Sequence, residues 1–108
     1  MSYVTTHVLD ATAGRPAAGI AVTLTAADGA PVATGVTDAD GRIADLGPDR
    51  LTPGAYRIDF GTGDYFAGLG QETFYPQVSI VFSVSADQRH YHVPLLLSPF
   101  AYSTYRGS

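Results

Sequence analysis

Apolar and polar residues alternate with a period of two along most of the chain, and clusters of glycine, proline and aspartate interrupt the alternation at short intervals. Short strands that each bury one face and are joined by tight turns produce this pattern. The first predicted strand runs from Tyr3 to Asp10 and ends at the turn-rich breaker Ala13-Gly14-Arg15-Pro16. From Ile20 to Ala26, Ile20, Val22 and Leu24 share one face, while Ala21, Thr23 and Thr25 share the other. Asp28-Gly29 predicts a hairpin turn, with Val32 to Val36 as the returning strand. Residues Thr37 to Gly54 are loop-rich, with room for a short strand at Ile43-Ala44. Tyr56, Ile58 and Phe60 then alternate with Arg57 and Asp59. Between Thr62 and Gln71 the alternation lapses, and Tyr65, Phe66 and Leu69 take a helical spacing that Gly63, Gly68 and Gly70 weaken. Val78 to Ser85, His90 to Leu97 and Ala101 to Tyr105 complete the set, the last two separated by Ser98-Pro99. Seven strands and one short helix predict an all-β sandwich.

Length and composition narrow this picture. The 108 residues fit one domain, 1–108. With no cysteine, disulfides and thiolate chemistry are excluded. All six basic residues are arginine, so a Schiff-base lysine and a phosphate-binding P-loop are excluded too. Ten acids against six arginines give a net charge of −4 with no basic patch, which argues against nucleic acid as a partner. No apolar run approaches the ~20 residues of a membrane-spanning helix, so no membrane partner is expected. The opening Met1-Ser2-Tyr3-Val4-Thr5-Thr6-His7 has neither a basic nor an apolar leader character, and the expected location is cytoplasmic.

The chemistry left to such a chain rests on three histidines, the arginines, carboxylates and hydroxyls. Alternation puts Tyr91, Val93, Leu95 and Leu97 on the apolar face of their strand, so His90 and His92 share the opposite one. In the first strand Val4, Thr6 and Val8 lie on one side, with Tyr3, Thr5, His7 and Leu9 on the other. Imidazoles on an outward sheet face are suited to proton transfer, although a lone strand histidine is more often a solvated surface residue. His90-Tyr91-His92 also offers two imidazoles to a metal, with His7 as a conceivable third ligand. Thr37-Asp38-Ala39-Asp40-Gly41-Arg42 has a superficial likeness to a calcium loop but lacks its full oxygen set. It predicts an acidic turn with Gly41 at positive φ. Arg42, just past that turn, is either an ordinary surface arginine or a planar charged fork aimed at a ligand.

Three segments taken together are more specific than any one. Thr6-His7-Val8-Leu9-Asp10, Asp40-Gly41-Arg42, and His90-Tyr91-His92-Val93-Pro94-Leu95-Leu96-Leu97-Ser98-Pro99 followed by Ser103-Thr104-Tyr105-Arg106-Gly107-Ser108 resemble the 5-hydroxyisourate hydrolases of the transthyretin-like family. The likeness spans essentially the whole chain. It implies a transthyretin-like (prealbumin-like) sandwich of seven to eight strands with one short helix, assembled as a homotetramer. It also implies a purine-derived small-molecule substrate, 5-hydroxyisourate, hydrolysed without cofactor or metal. The site positions it implies are His7, Arg42, His92 and Ser108 for catalysis, with His7, Arg42 and Tyr105 binding substrate and Arg106 ordering the tail. The family sets the first and penultimate strands side by side, which would make His7 and His92 neighbours. Rival readings are a non-catalytic transthyretin-like carrier of small ligands, which would need an apolar lining, and a structural prealbumin-like domain. Such a domain would have no use for the histidine-bearing ends.

Overall fold

The computed structural model describes residues 2 to 108; Met1 lies outside the described residues. In chain order the elements are β1 (Val4–Asp10), β2 (Arg15–Pro16), β3 (Ala21–Ala26), β4 (Pro31–Val36), β5 (Arg42–Ile43), β6 (Gly54–Phe60), α1 (Thr62–Gly68), β7 (Val78–Val84), β8 (Tyr91–Ser98) and β9 (Ala101–Thr104). They form two sheets. One has the order β4-β3-β6-β7 and is antiparallel throughout. The other has the order β2-β1-β8-β9, with β5 also paired to β1. Its β1 and β8 run parallel, the only such pair among the described strands.

The inward faces of the two sheets make the core. Val4, Val8, Val93, Leu95 and Leu97 from one sheet meet Val22, Leu24, Ile58, Phe60, Val78 and Val84 from the other, all buried. Each such side chain contributes about 1.5–3 kcal/mol relative to exposure. Thr6 takes an inward position in β1 and donates its hydroxyl to the Val93 carbonyl at 2.6 Å, which satisfies the only polar atom it brings inside.

Most of the predicted elements stand where alternation put them, and the differences have physical causes. Tyr3 precedes β1 and turns inward, 2% exposed, with its ring edge-on to Tyr91 at 5.5 Å. Alternation does not govern it because it lies before the strand. Arg15-Pro16 is a short return strand as well as a breaker. The Asp10 carboxylate accepts the Thr12 and Ala13 N–H groups, tightening the turn so that the chain folds back on Leu9 and Asp10. The strand expected at Ile43-Ala44 is Arg42–Ile43. The helix expected over 62–71 ends at Gly68. Leu69 is 53% exposed and Gly70 takes φ +67°, so only Thr62 and Phe66 are buried along it. With the two short strands the count is nine among the described residues, seven of them long enough to be read from alternation.

Candidate active site

The register around β1 explains how residues far apart in sequence meet. In the parallel pair Thr5 stands opposite His92 and His7 opposite Pro94, and on the other edge of β1 His7 stands opposite Arg42. Residues opposed in register point to the same side of a sheet. His7, Thr5, His92 and Arg42 therefore share the outward face, while their neighbours Thr6, Val8 and Val93 point into the core. His7, His90 and His92 are each half-buried and Arg42 is exposed.

Arg42 owes its position to the turn before it. Asp38 accepts the backbone N–H groups of Asp40 and Arg42 on one carboxylate oxygen, at 2.9 and 3.0 Å. The Gly41 N–H donates to the Asp38 carbonyl. Gly41 sits at φ +73°, and a Cβ there would lie 2.3 Å from the Val8 carbonyl oxygen. Only glycine lets this turn press against β1, and that contact starts β5 beside His7. The Asp38 carboxylate thus builds the turn, as expected of an acidic turn.

Around His92 the packing is close. The Thr5 Oγ1 lies 2.8 Å from His92 Nδ1 and 3.0 Å from His90 Nε2, and the two imidazoles stack with centroids 6.4 Å apart. Gly107 donates its N–H to the His92 carbonyl at 2.9 Å, in an isolated bridge between the two residues. A Cβ on Gly107 would fall 2.5 Å from His92 Cδ2. The absence of a side chain at 107 is what lets the tail lie along the ring. Burial first, then the nearby positive charge of Arg42 and the imidazoles of His90 and His7, hold His92 below the usual histidine range, against a hydrogen bond at Thr5. A larger neutral fraction near pH 7 follows, as a proton acceptor requires.

Two hollows border this ring. One, of about 250 Å³, is lined by Thr5, Thr6, Arg42, Ile43, Ala44, His90, His92 and Ser108. The other, of about 310 Å³, lies across His92 and is lined by Ile80, Phe82, Ser83, Tyr91, His92, Val93, Thr104, Tyr105 and Arg106. Of the residues singled out in the sequence, Arg42, His90, His92 and Ser108 share the first hollow, and His7 adjoins it through its pairing with Arg42. Tyr105 stands apart, in the second hollow and 60% exposed. Arg106 is held there by its guanidinium over the Tyr91 ring at 4.9 Å and by donation to the Gln88 side chain. Among the described residues no group of three or more His, Asp or Glu stands in a metal-binding arrangement, and the facing nitrogens of His90 and His92 both meet a hydroxyl. Thr5 and Gly107 were not singled out in the sequence. The signal for Thr5 was its place two residues before His7, on the same face.

Comparison with known proteins matches residues 4–107 to the HIUase/Transthyretin family. The chain is 45% identical over 111 residues to a 5-hydroxyisourate hydrolase of Salmonella typhimurium, covering 99% of this chain and 82% of that one. It is 44% identical over 114 residues to the 5-hydroxyisourate hydrolase of Mus musculus, covering 99% and 96%. Among solved structures it resembles Klebsiella pneumoniae 5-hydroxyisourate hydrolase, with a TM-score of 0.91, 39% identity and coverage of 99% and 100%. It also resembles sea bream transthyretin in complex with thyroxine, with a TM-score of 0.91, 36% identity and coverage of 97% and 94%.

Proposed function

The chain belongs to the HIUase/transthyretin family, and from that premise we infer how its outer sheet face works as the active site of a cyclic amidohydrolase. The reaction is hydrolysis of 5-hydroxyisourate to 2-oxo-4-hydroxy-4-carboxy-5-ureidoimidazoline, a step of urate breakdown. The observation that carries the reading is the convergence of His7, His92 and Arg42 on one face of β1, β5 and β8.

Opening a ring amide needs an activated water, charge to stabilise the developing oxyanion, and a proton for the departing nitrogen. In our reading His92 accepts the water proton, a role worth about 10²–10⁴-fold. Arg42 presents its planar fork to the substrate oxygens and supports the oxyanion, worth roughly 3–4 kcal/mol. His7, beside Arg42, serves substrate binding and proton transfer, and the Ser108 hydroxyl positions water or substrate in the same hollow. Tyr105, in the neighbouring hollow, is assigned to substrate through assembly. The outer face of the sheet is open, and a facing copy in a homotetramer would cover it and bring the two hollows into one enclosed site. Residues 1–108 act as a single domain in this scheme. A hydrolytic role is favoured over a carrier's because the hollow is faced by imidazoles, a guanidinium and hydroxyls, whereas a carrier of aromatic ligands needs an apolar channel.

The test is spectrophotometric. 5-Hydroxyisourate generated freshly from urate decays on its own, and added protein should accelerate that decay. Arg42→Gln should lower kcat/KM by about 10²–10³-fold, the loss typical of a removed oxyanion donor. Decay no faster than the spontaneous rate would overturn the reading.

A further inference from the structure

One hydrogen-bonding group in the site has no part in the scheme above. Thr5 is 7% exposed, and its hydroxyl lies between His90 Nε2 at 3.0 Å and His92 Nδ1 at 2.8 Å. A hydroxyl has a single proton to donate. When both imidazoles are neutral it donates to one ring and accepts from the other, so the protonation sites of the two rings are locked together. With Nδ1 of His92 engaged in this way, Nε2 is the nitrogen left for the hollow. The groups facing His92 are His7 and Thr5 from β1, Arg42 from β5, His90 from its own end of β8, and Arg106 across the ring.

We propose that Thr5 is a positioning residue that couples His90 to His92, holding His92 as the Nδ1–H tautomer and relaying a proton between the two rings. The proposal rests on the hydrolase reading and deepens it. At rest His92 Nδ1–H donates to Thr5 Oγ1, and Thr5 O–H donates to His90 Nε2, which leaves His92 Nε2 bare toward the water. As Nε2 takes the water proton, Nδ1–H passes its proton to Oγ1, and the hydroxyl proton moves to His90 Nε2. His92 is then neutral with its proton on Nε2, and the positive charge sits on His90. When the C–N bond of the substrate breaks, Nε2–H gives its proton to the leaving nitrogen and the chain of transfers runs back. His90 Nε2 returns the hydroxyl proton to Oγ1, and Oγ1 gives back to His92 Nδ1 the proton it had taken from it. One water proton has reached the leaving nitrogen, the hydroxide has joined the carbonyl carbon, and every protein group is restored. Both rings are held in the Nδ1–H form at rest, whereas an unconstrained imidazole favours Nε2–H.

The test uses Thr5→Val, which keeps the shape and removes the hydroxyl, and Thr5→Ser, which keeps the hydroxyl. Thr5→Val should lower kcat roughly tenfold to a hundredfold, a share of what general acid–base catalysis supplies, with KM changed by no more than about threefold. Thr5→Ser should recover kcat to within about threefold. Nitrogen NMR of the neutral rings should show Nδ1–H at His90 and His92 in the wild type and in Thr5→Ser, and Nε2–H in Thr5→Val. A Thr5→Val enzyme with wild-type kcat, a Thr5→Ser enzyme as slow as Thr5→Val, or a wild-type His92 in the Nε2–H form would each overturn the relay. The two readings fail separately. A wild-type protein that leaves 5-hydroxyisourate decay unaccelerated defeats the hydrolase reading, while the ring tautomers still decide whether Thr5 couples the histidines.

Discussion

His92 depends on its neighbours for its protonation state, which makes its titration a residue-scale test. Burial, Arg42, His90 and His7 all favour its neutral form, so the acid limb of kcat/KM should fall at a pH below the usual imidazole value of about 6.5. Replacing Arg42 by Gln removes one positive charge that depresses this value. The limb of the residual activity should therefore move to higher pH. The same shift bears on stability. A histidine easier to protonate in the unfolded chain than in the fold contributes stability above about pH 6.5 that is lost as pH falls through its folded value, and urea midpoints should decline over that window. Gly107 offers the steric counterpart. Gly107→Ala puts a methyl into the space of His92 Cδ2. It should lower kcat by at least roughly tenfold through displacement of the proposed base while leaving the urea midpoint nearly unchanged, since the tail lies outside the core. The three motif segments singled out His7, Arg42 and His92 as the proposed site residues, and the structure sets them on one face. Thr5 was not singled out, because a threonine in a strand satisfies β propensity without further cause. Gly107 was not, because its meaning is a distance to a ring fifteen positions earlier.

Strands and turns fix how those residues meet. β5 is only two residues long, too short for alternation to reveal its pairing, and what sets its register is the Asp38–Gly41 turn pressing on Val8. Gly41→Ala combines a positive φ with a backbone clash and should cost about 1–3 kcal/mol in urea unfolding. It should also reduce kcat/KM, since Arg42 would be shifted from His7. At the other end of β1, Asp10 is 2% exposed. It accepts two N–H groups of the β1–β2 turn and the Tyr65 hydroxyl at 2.8 Å, tying α1 to the sheet. Burial and the Asp10 carboxylate push the Tyr65 phenol up to about 12, so it stays a donor at any working pH. Asp10→Ala should lower stability by about 2–4 kcal/mol with kcat of the folded enzyme retained, separating a fold-holding carboxylate from the site. The long strands were legible because each buries one face. β5 was legible only as a short strand one residue along, at Ile43-Ala44, and β2 only as a breaker, because both are two residues long and start from turns set by hydrogen bonds.

At the scale of the whole molecule, the outer face that carries the site is open, and Val81, Phe100 and Tyr102 on or beside edge strands β7 and β9 are exposed. If copies assemble as proposed, sedimentation should give a mass near four times 11.3 kDa, and activity should fall on dilution into monomer. A protein active at full specific rate as a monomer would contradict the shared-site scheme. Sequence pattern alone supplied the sandwich but not which strands are neighbours, since periodicity assigns faces and is silent on pairing.

The parallel pairing of β1 with β8 closes a loop of more than eighty residues, and long-range contacts of this kind form late in folding. On the ribosome, β1 can meet β2 and β5 early and bring His7 beside Arg42, but its other edge must wait for β8 before His92 arrives opposite Thr5. A chain cut before β8 would lack His92 beside Thr5 and should therefore show no turnover of its own.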